Sequence, residues 1–302
     1  MLEPHVALPA FEYIKPGSVE EASHFLAEHA GEARPLLGGT DIFVRMRDGH
    51  WHDKFLVDVK GLEGTDVLSF DPAAGLTLGA AVNMNRVIAS PKARQHYPLL
   101  TQAASTVASY QLRSRATVVG NICNASPAGD TLGACLVYRG VLKVHGIDGP
   151  RDLPLDQFFQ GPGLTSLNPG DLVIAIQFPL PPDGSIGHYE KLGRNQVGDL
   201  AIVGSTALGF PDPDTKSGFR FRLALAAVAP TPLIPAKAEA ILTDGPITSE
   251  SIQAAADEAM RACSPIDDVR GGADYRGLMT RNLTRRAISI VWDRLGKQAL
   301  GT

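Results

Sequence analysis

Two glycine-bearing stretches, 34-RPLLGGTDIFVRMRDG-49 and 117-TVVGNICNASPAGD-130, carry residue types suited to holding a phosphorylated ligand. In the first, a short apolar strand breaks at Gly38-Gly39 and a helical pattern restarts behind Thr40-Asp41. Glycines admit positive φ and Thr or Asp caps helices, so an ordinary tight turn accounts for this pattern. Anion binding accounts for it too, because backbone N–H groups beside a helix start reach a phosphate only where no side chain intervenes. In the second stretch a strand pattern runs into Gly120-Asn121, and Asn124, Ser126 and Asp130 follow, all types that cap helices or bond hydroxyls. Two such elements in one α/β region could clasp the two phosphates of a dinucleotide from opposite sides.

Other groupings point to less. 50-HWHD-53 offers two imidazoles and a carboxylate, but an i,i+2 spacing without a second cluster reads as a loop rather than a metal site. Phe158-Phe159 reads as domain packing or as an aromatic anchor at a subunit face. Cys123, Cys135 and Cys263 lack CxxC spacing, which argues against a disulfide framework or a cysteine-ligated cluster. No catalytic side chain and no metal ligand is assigned.

The elements around these stretches read as follows. Ser18-Val-Glu-Glu21 predicts a capping box before ASHFLAEHAG, and FLVDV at 55–59 a strand, so the first sixty residues alternate β and α. Gly-punctuated strands such as 75-GLTLGAAV-82 follow, then helix from Asn83 to about Ser109, a short helix up to Tyr138, and strands at 141–146 and 171–179. Beyond PLPPDG, a three-stranded antiparallel sheet is predicted from HYEKLGR, DLAIVGSTALGF and GFRFRLALAAVA. Strict alternation there places Phe219, Phe221, Leu223 and Leu225 on one face and Arg220 and Arg222 on the other. Helices are expected at about 235–243, 249–262 and 274–299, the last with a core stripe of Leu278, Ile288, Val291, Trp292 and Leu295. The boundaries expected are 1–58, 59–178 and 179–302, an α+β chain.

With 302 residues, a net charge of −4 and a pI near 6.1, the chain lacks the basic field that nucleic acid requires. No basic leader or run of ~20 apolar residues is evident, so a cytoplasmic chain without a membrane span is expected.

LLGGTDIFVRM resembles the AGGTDL-type loop, and QLRSRATVVGNICNASPAGD the QVRN-x-GTVGGNL-x-x-ASPAAD segment, of the FAD-binding medium subunit of molybdenum hydroxylases, the xanthine dehydrogenase and carbon monoxide dehydrogenase family. PAFEYIKPGSVEEA, YEKLGRNQVGDLA, APTP and DDVRGGADYRGLM continue the resemblance in the same order over nearly the whole chain. It implies a two-subdomain FAD-binding domain of the vanillyl-alcohol-oxidase (PCMH) type followed by the C-terminal α+β domain. It also implies that Leu36, Leu37, Gly38, Gly39, Thr40, Asp41 and Ile42 wrap the FAD pyrophosphate, with Ile42 against the isoalloxazine. Thr117, Gly120, Asn121 and Asn124 would contact the phosphates from the second subdomain, Asp130 a sugar or ribityl hydroxyl, and Val173 and Lys191 the flavin's edge.

The implied partners are a small [2Fe–2S] subunit and a large molybdenum-cofactor subunit in a dimer of heterotrimers, with an external acceptor taking the electrons. Three departures bear on this: Val119-Gly120 replaces a glycine pair, Arg194-Asn195 an arginine pair, and Leu200 a frequent aromatic. The first is expected to hold the second glycine element slightly farther from phosphate, and the others to alter the flavin's shielding. The cysteine-rich insertion of the reductase branch is missing, so no iron–sulfur cluster is expected on this chain. The alternative functions are a self-sufficient FAD oxidoreductase of the same fold and a flavin-free assembly module.

Overall fold

The computed structural model describes residues 7–195 and 198–299. In the first layer, β1 (Glu12–Ile14), α1 (Val19–Glu28), β2 (Ala33–Leu36), α2 (Ile42–Arg47) and β3 (Phe55–Asp58) follow one another, and the strands form a parallel sheet in the order β1-β3-β2. Ser18 accepts the Glu21 N–H, while the Glu21 carboxylate takes the N–H of Gly17 rather than that of Ser18, so the predicted box closes one residue early. Thr40 and Asp41 do not cap α2 by a side-chain hydrogen bond. That expectation is corrected: Asp41 is engaged from across the loop instead.

The second layer contains β4 (Leu68–Asp71), β5 (Gly75–Gly79), α3 (Met84–Ala89), α4 (Pro91–His96), α5 (Pro98–Ser105), α6 (Tyr110–Arg113), α7 (Val118–Cys123), α8 (Leu132–Val137), β6 (Val141–Gly146), β7 (Gly149–Pro154), β8 (Phe159–Gly161), β9 (Leu164–Thr165) and β10 (Leu172–Phe178). Five strands pair antiparallel in the order β4-β5-β10-β6-β7. The helix expected from Asn83 onward is divided, because Pro91 and Pro98 lack an N–H and each opens a new helix at its first turn. Tyr97, fully buried, accepts the Leu76 N–H and lies 3.1 and 3.0 Å from the carbonyls of Phe178 and Pro179. Burial pushes its phenol up to about 12, so it acts there as a neutral group. Gly75, at φ +92°, is required at this crossing, since a Cβ would lie 2.0 Å from the Phe178 carbonyl oxygen.

The third unit holds β11 (Ile186–Leu192), β12 (Val203–Pro211), β13 (Phe219–Ala226), α9 (Ala236–Asp244), α10 (Ser249–Ala262) and α11 (Ala273–Ala299). Its antiparallel sheet, β11-β12-β13, has two apolar faces. Phe221, Leu223 and Leu225 pack with the helices, while Tyr189, Leu208 and Ala224 join the core of the second layer. On α11, Ile288, Val291 and Leu295 are buried as the stripe predicts, but Leu278 is 41% exposed. At this level the buried face of the helix is carried instead by Arg276, Met279 and Thr280.

What fills the start of α11 is a cation. Arg276 is 2% exposed, donates through Nη1 to the carbonyls of Ile202 (2.9 Å) and Ala227 (3.0 Å), and through Nη2 to Asp268 (2.6 Å). Truncation would strand two carbonyls and part of a carboxylate's hydrogen bonding. Arg276→Ala is expected to cost roughly 2–4 kcal/mol in urea unfolding, with Arg276→Lys intermediate. A loss of only a few tenths of a kcal/mol would show that Arg276 behaves as a surface residue.

Candidate functional site

The two glycine elements meet in space. Leu36 ends β2 inside a small cluster with Met46 and Leu56, and Ile42 and Phe43 pack against it. Leu37 packs on the cores of both the first and second layers. At Gly38 the backbone of the second layer comes so close that a Cβ would stand 2.3 Å from the Arg115 carbonyl oxygen and 3.2 Å from the Ala116 nitrogen. Gly39 adopts φ +75°, where a Cβ would also strike the Phe43 ring at 2.6 Å. Both glycines are therefore fixed by backbone approach and conformation before any ligand is considered.

The consequence is a short loop with bare amides. Among the described residues, the N–H groups of Gly38, Gly39, Thr40 and Asp41 donate to no acceptor. On residues that are half-buried (Gly38 to Thr40) or exposed (Asp41), such donors are open to water or to a ligand that supplies acceptors. Arg115, exposed, approaches the Gly38 carbonyl at 3.4 Å through Nε, and Asn124 donates to Asp41 at 3.2 Å from the other side. Four amides and a nearby guanidinium, with no side chain on the two glycines, fit a polyphosphate well.

The second element differs from its sequence reading. Residues 118–123 form α7, not a strand, because the Thr117 hydroxyl accepts the Gly120 N–H at 2.8 Å and caps it. The β-branched Thr-Val-Val run suggested a strand, but burial of Val118, Val119 and Ile122 overrides that propensity. Gly120 lies in the first turn, where a Cβ would be 2.8 Å from the Thr117 hydroxyl and 3.9 Å from Leu37. Val119, in place of a glycine, points into the core at 1% exposure, so its side chain takes no space from the facing loop.

A second cluster lies beyond. Asn121 accepts from Thr131 at 2.7 Å, tying α7 to the start of α8 next to Asp130. Asp130, 6% exposed, takes the Tyr189 hydroxyl and the Lys191 ammonium, each at 2.7 Å, and Lys191 also donates to the Thr106 carbonyl at 3.1 Å. Burial raises the Asp130 carboxyl above the ordinary carboxylate range, with the Lys191 charge opposing it, and burial beside Asp130 raises the Tyr189 phenol well above its usual value. Val173 is buried in β10, on which α7 packs.

Thus Leu36 to Ile42 are brought together with Thr117, Gly120 and Asn124, whereas Asp130 and Lys191 form their own buried pair, linked to the first group through Asn121 and Thr131. The sequence reading missed Arg115, Thr131 and Tyr189. Arg115 stands two residues before Thr117, and the strand alternation that puts Tyr189 and Lys191 on one face was available. Arg194 pairs with Asp199, and Leu200 is 57% exposed. Gln196 and Val197 of the same segment lie outside the described residues.

The remaining candidates are structural. Asp53 of HWHD is buried against Arg34 at 2.8 Å, and that guanidinium stacks 3.7 Å over Trp51. Phe158 is fully buried in the second layer, with Phe159 packed against it. Burial pushes the Cys123 thiol up to about 12, which suits an inert thiol. Among the described residues, no group of three or more His, Cys, Asp or Glu could hold a metal ion, and no helix is long and apolar enough to cross a membrane.

Residues 9–181 match the FAD binding domain in molybdopterin dehydrogenase, and residues 187–291 match the CO dehydrogenase flavoprotein C-terminal domain. The chain is 32% identical over 286 residues to the carbon monoxide dehydrogenase medium chain of Hydrogenophaga pseudoflava, covering 95% of this chain and 98% of that one. It is 28% identical over 281 residues to the xanthine dehydrogenase FAD-binding subunit of Escherichia coli O157:H7, covering 92% and 94%. Its fold superimposes with a TM-score of 0.91 on a chain of the carbon monoxide dehydrogenase from Hydrogenophaga pseudoflava that lacks the Mo-pyranopterin moiety, over 96% of this chain and 99% of that one at 32% identity. The bare-amide loop thus sits in a recognised FAD-binding domain, and the chain belongs to the family of FAD-binding medium subunits of the molybdopterin dehydrogenases.

Proposed function

We propose that this chain holds one FAD per copy and relays electrons from [2Fe–2S] clusters on a small partner subunit to an external acceptor. Substrate oxidation then belongs to a large molybdenum-cofactor subunit, in a dimer of heterotrimers. The observation that carries the proposal is the run of unsatisfied amides at Gly38 to Asp41 facing the α7 segment. The near full-length match to medium chains named for carbon monoxide and for xanthine supports the assignment of substrate chemistry to another subunit.

In this proposal the units 1–58 and 59–178 clasp FAD between them, and 179–302 contributes Lys191. Leu36, Leu37, Gly38, Gly39, Thr40, Asp41 and Ile42 wrap the pyrophosphate, with Ile42 toward the ring system. Thr117, Gly120, Asn121 and Asn124 face it from the second unit. Asp130 has one bond to each carboxylate oxygen and retains acceptor capacity for a sugar or ribityl hydroxyl. Lys191 has used two of its three N–H donors, leaving one for the flavin's edge beside Val173. Bound FAD supplies the conversion between two-electron and one-electron transfer.

Two measurements test this reading. Calorimetric titration of the cofactor-free chain should show FAD binding far more tightly than FMN, because FMN fills only one of two phosphate positions. Gly38→Ala should abolish tight FAD binding while far-ultraviolet circular dichroism is retained, since its methyl must displace the Arg115 carbonyl. Equal affinity for FMN, or full FAD content in folded Gly38→Ala, would refute the two-sided clasp.

The FAD-loaded chain alone should be bleached by a chemical reductant and reoxidised by an acceptor, yet be untouched by the complex's organic substrate in anaerobic stopped-flow. Adding the two partner subunits should restore substrate-dependent bleaching. Rapid bleaching of the lone chain by organic substrate would favour a self-sufficient oxidoreductase.

A further inference from the structure

Between the second layer and the C-terminal unit, away from the amide loop, lies a cavity of about 410 Å³ whose lining includes Arg139, Leu155, Asp156, Arg222, Ile234 and Glu239. Arg222, on β13, reaches across the seam and donates through Nη1 to the Val137 carbonyl at the end of α8 (3.0 Å). Its guanidinium lies 5.0 Å from the Phe210 ring centroid, its Nε is buried without a partner, and Nη2 has no bond among the described residues. Arg139 projects from a left-handed position, φ +55°, two residues after the end of α8, and its side chain makes no hydrogen bond among the described residues.

Among the described residues no carboxylate forms an ion pair with either cation, and Glu239 attracts both of them only from a distance. Glu239 spends Oε1 on the Leu223 N–H at 2.6 Å, and burial raises its carboxyl above the ordinary range. Asp156 is exposed. Arg222 is half-buried, and a guanidinium with a buried, unpartnered Nε and no bonded carboxylate, near a second guanidinium, carries an electrostatic cost that a bound anion reduces. Burial and the Arg139 charge push Arg222 down to about 10, in keeping with that cost. The remaining wall is apolar at Leu155 and Ile234.

We propose that this seam cavity binds a small organic carboxylate, its carboxylate held by Arg222 Nη2 and Arg139 and its hydrocarbon body laid on Leu155 and Ile234. The site is independent of the FAD reading, because none of its residues belongs to the amide loop or to the Asp130–Lys191 pair. It bridges α8 and β13, so an occupant would tie the FAD-binding layers to the C-terminal unit through charge as well as through packing.

The test is calorimetric titration of the full FAD-loaded chain with sodium butyrate, with butyramide and inorganic phosphate as separate arms. Saturable one-site butyrate binding is expected, with butyramide silent. Arg139→Ala should weaken butyrate by about tenfold or more, the worth of one charge-assisted hydrogen bond. Because Arg139 is exposed and its side chain bonds nothing, this variant folds as the parent does; Arg222→Met, which also loses the Val137 bond, should abolish binding in protein whose thermal unfolding remains cooperative. No butyrate binding, equal binding of butyramide, phosphate binding with butyrate silent, or unchanged affinity in Arg139→Ala would each overturn the proposal.

Discussion

The contact on which the site depends is a backbone-to-backbone approach with no room for a side chain. Gly38 sits where a Cβ would be 2.3 Å from the Arg115 carbonyl oxygen, so at this loop the first layer meets the second main chain to main chain, beside the apolar packing of Leu37 on both cores. Gly39 then turns the chain through a left-handed conformation, and the next amides, up to Asp41, are left without partners. Any other residue at position 38 must separate the two segments, and with them Asn124 from Asp41 and Leu37 from Gly120. One steric constraint thereby sets both the close approach of the two layers at this loop and the donor array within it.

Around that junction the chain uses buried polar ties rather than surface ion pairs. Tyr97 fastens β5 to the end of β10, Arg276 fastens α11 to the ends of β12 and β13, and Tyr189 with Lys191 fastens β11 to Asp130. Exposed pairs such as Lys54–Glu32 contribute little by comparison, since solvent screens them and ordering two long side chains costs entropy. The Asp130 tie is also the route by which the C-terminal unit reaches the proposed cofactor position. The same lysine that stitches the two units is the one proposed to serve the cofactor.

The sequence made the regular elements visible where periodicity is strong. The alternation in FRFRLALA places Phe221, Leu223 and Leu225 in the helical core as expected, and the last three helices lie within a residue or two of their expected spans. It misled where local propensity and tertiary burial disagree. Thr117-Val118-Val119 reads as strand, yet a hydroxyl cap and a waiting core make it helix. Thr40-Asp41 looks like a cap, yet Asp41 bonds Asn124, 83 residues away. Leu278 fits the spacing of a core stripe, but it is exposed on a turn whose buried side is taken by Arg276 and Thr280. Arg115, Tyr189 and the Arg222 cavity depend on contacts between distant segments, which spacing along one strand or helix does not encode.

The central claim is that the amides of Gly38 to Asp41 are donors awaiting the phosphates of FAD. Hydrogen–deuterium exchange resolved to single residues measures this directly, because an amide without an acceptor exchanges quickly until a ligand supplies one. In the cofactor-free chain these amides should exchange at rates close to those of an open loop. On adding FAD they should become protected together with the Thr117 to Asn124 segment, while the Arg276 region stays unchanged. Protection of other surfaces with residues 38–41 still exchanging freely would contradict the account.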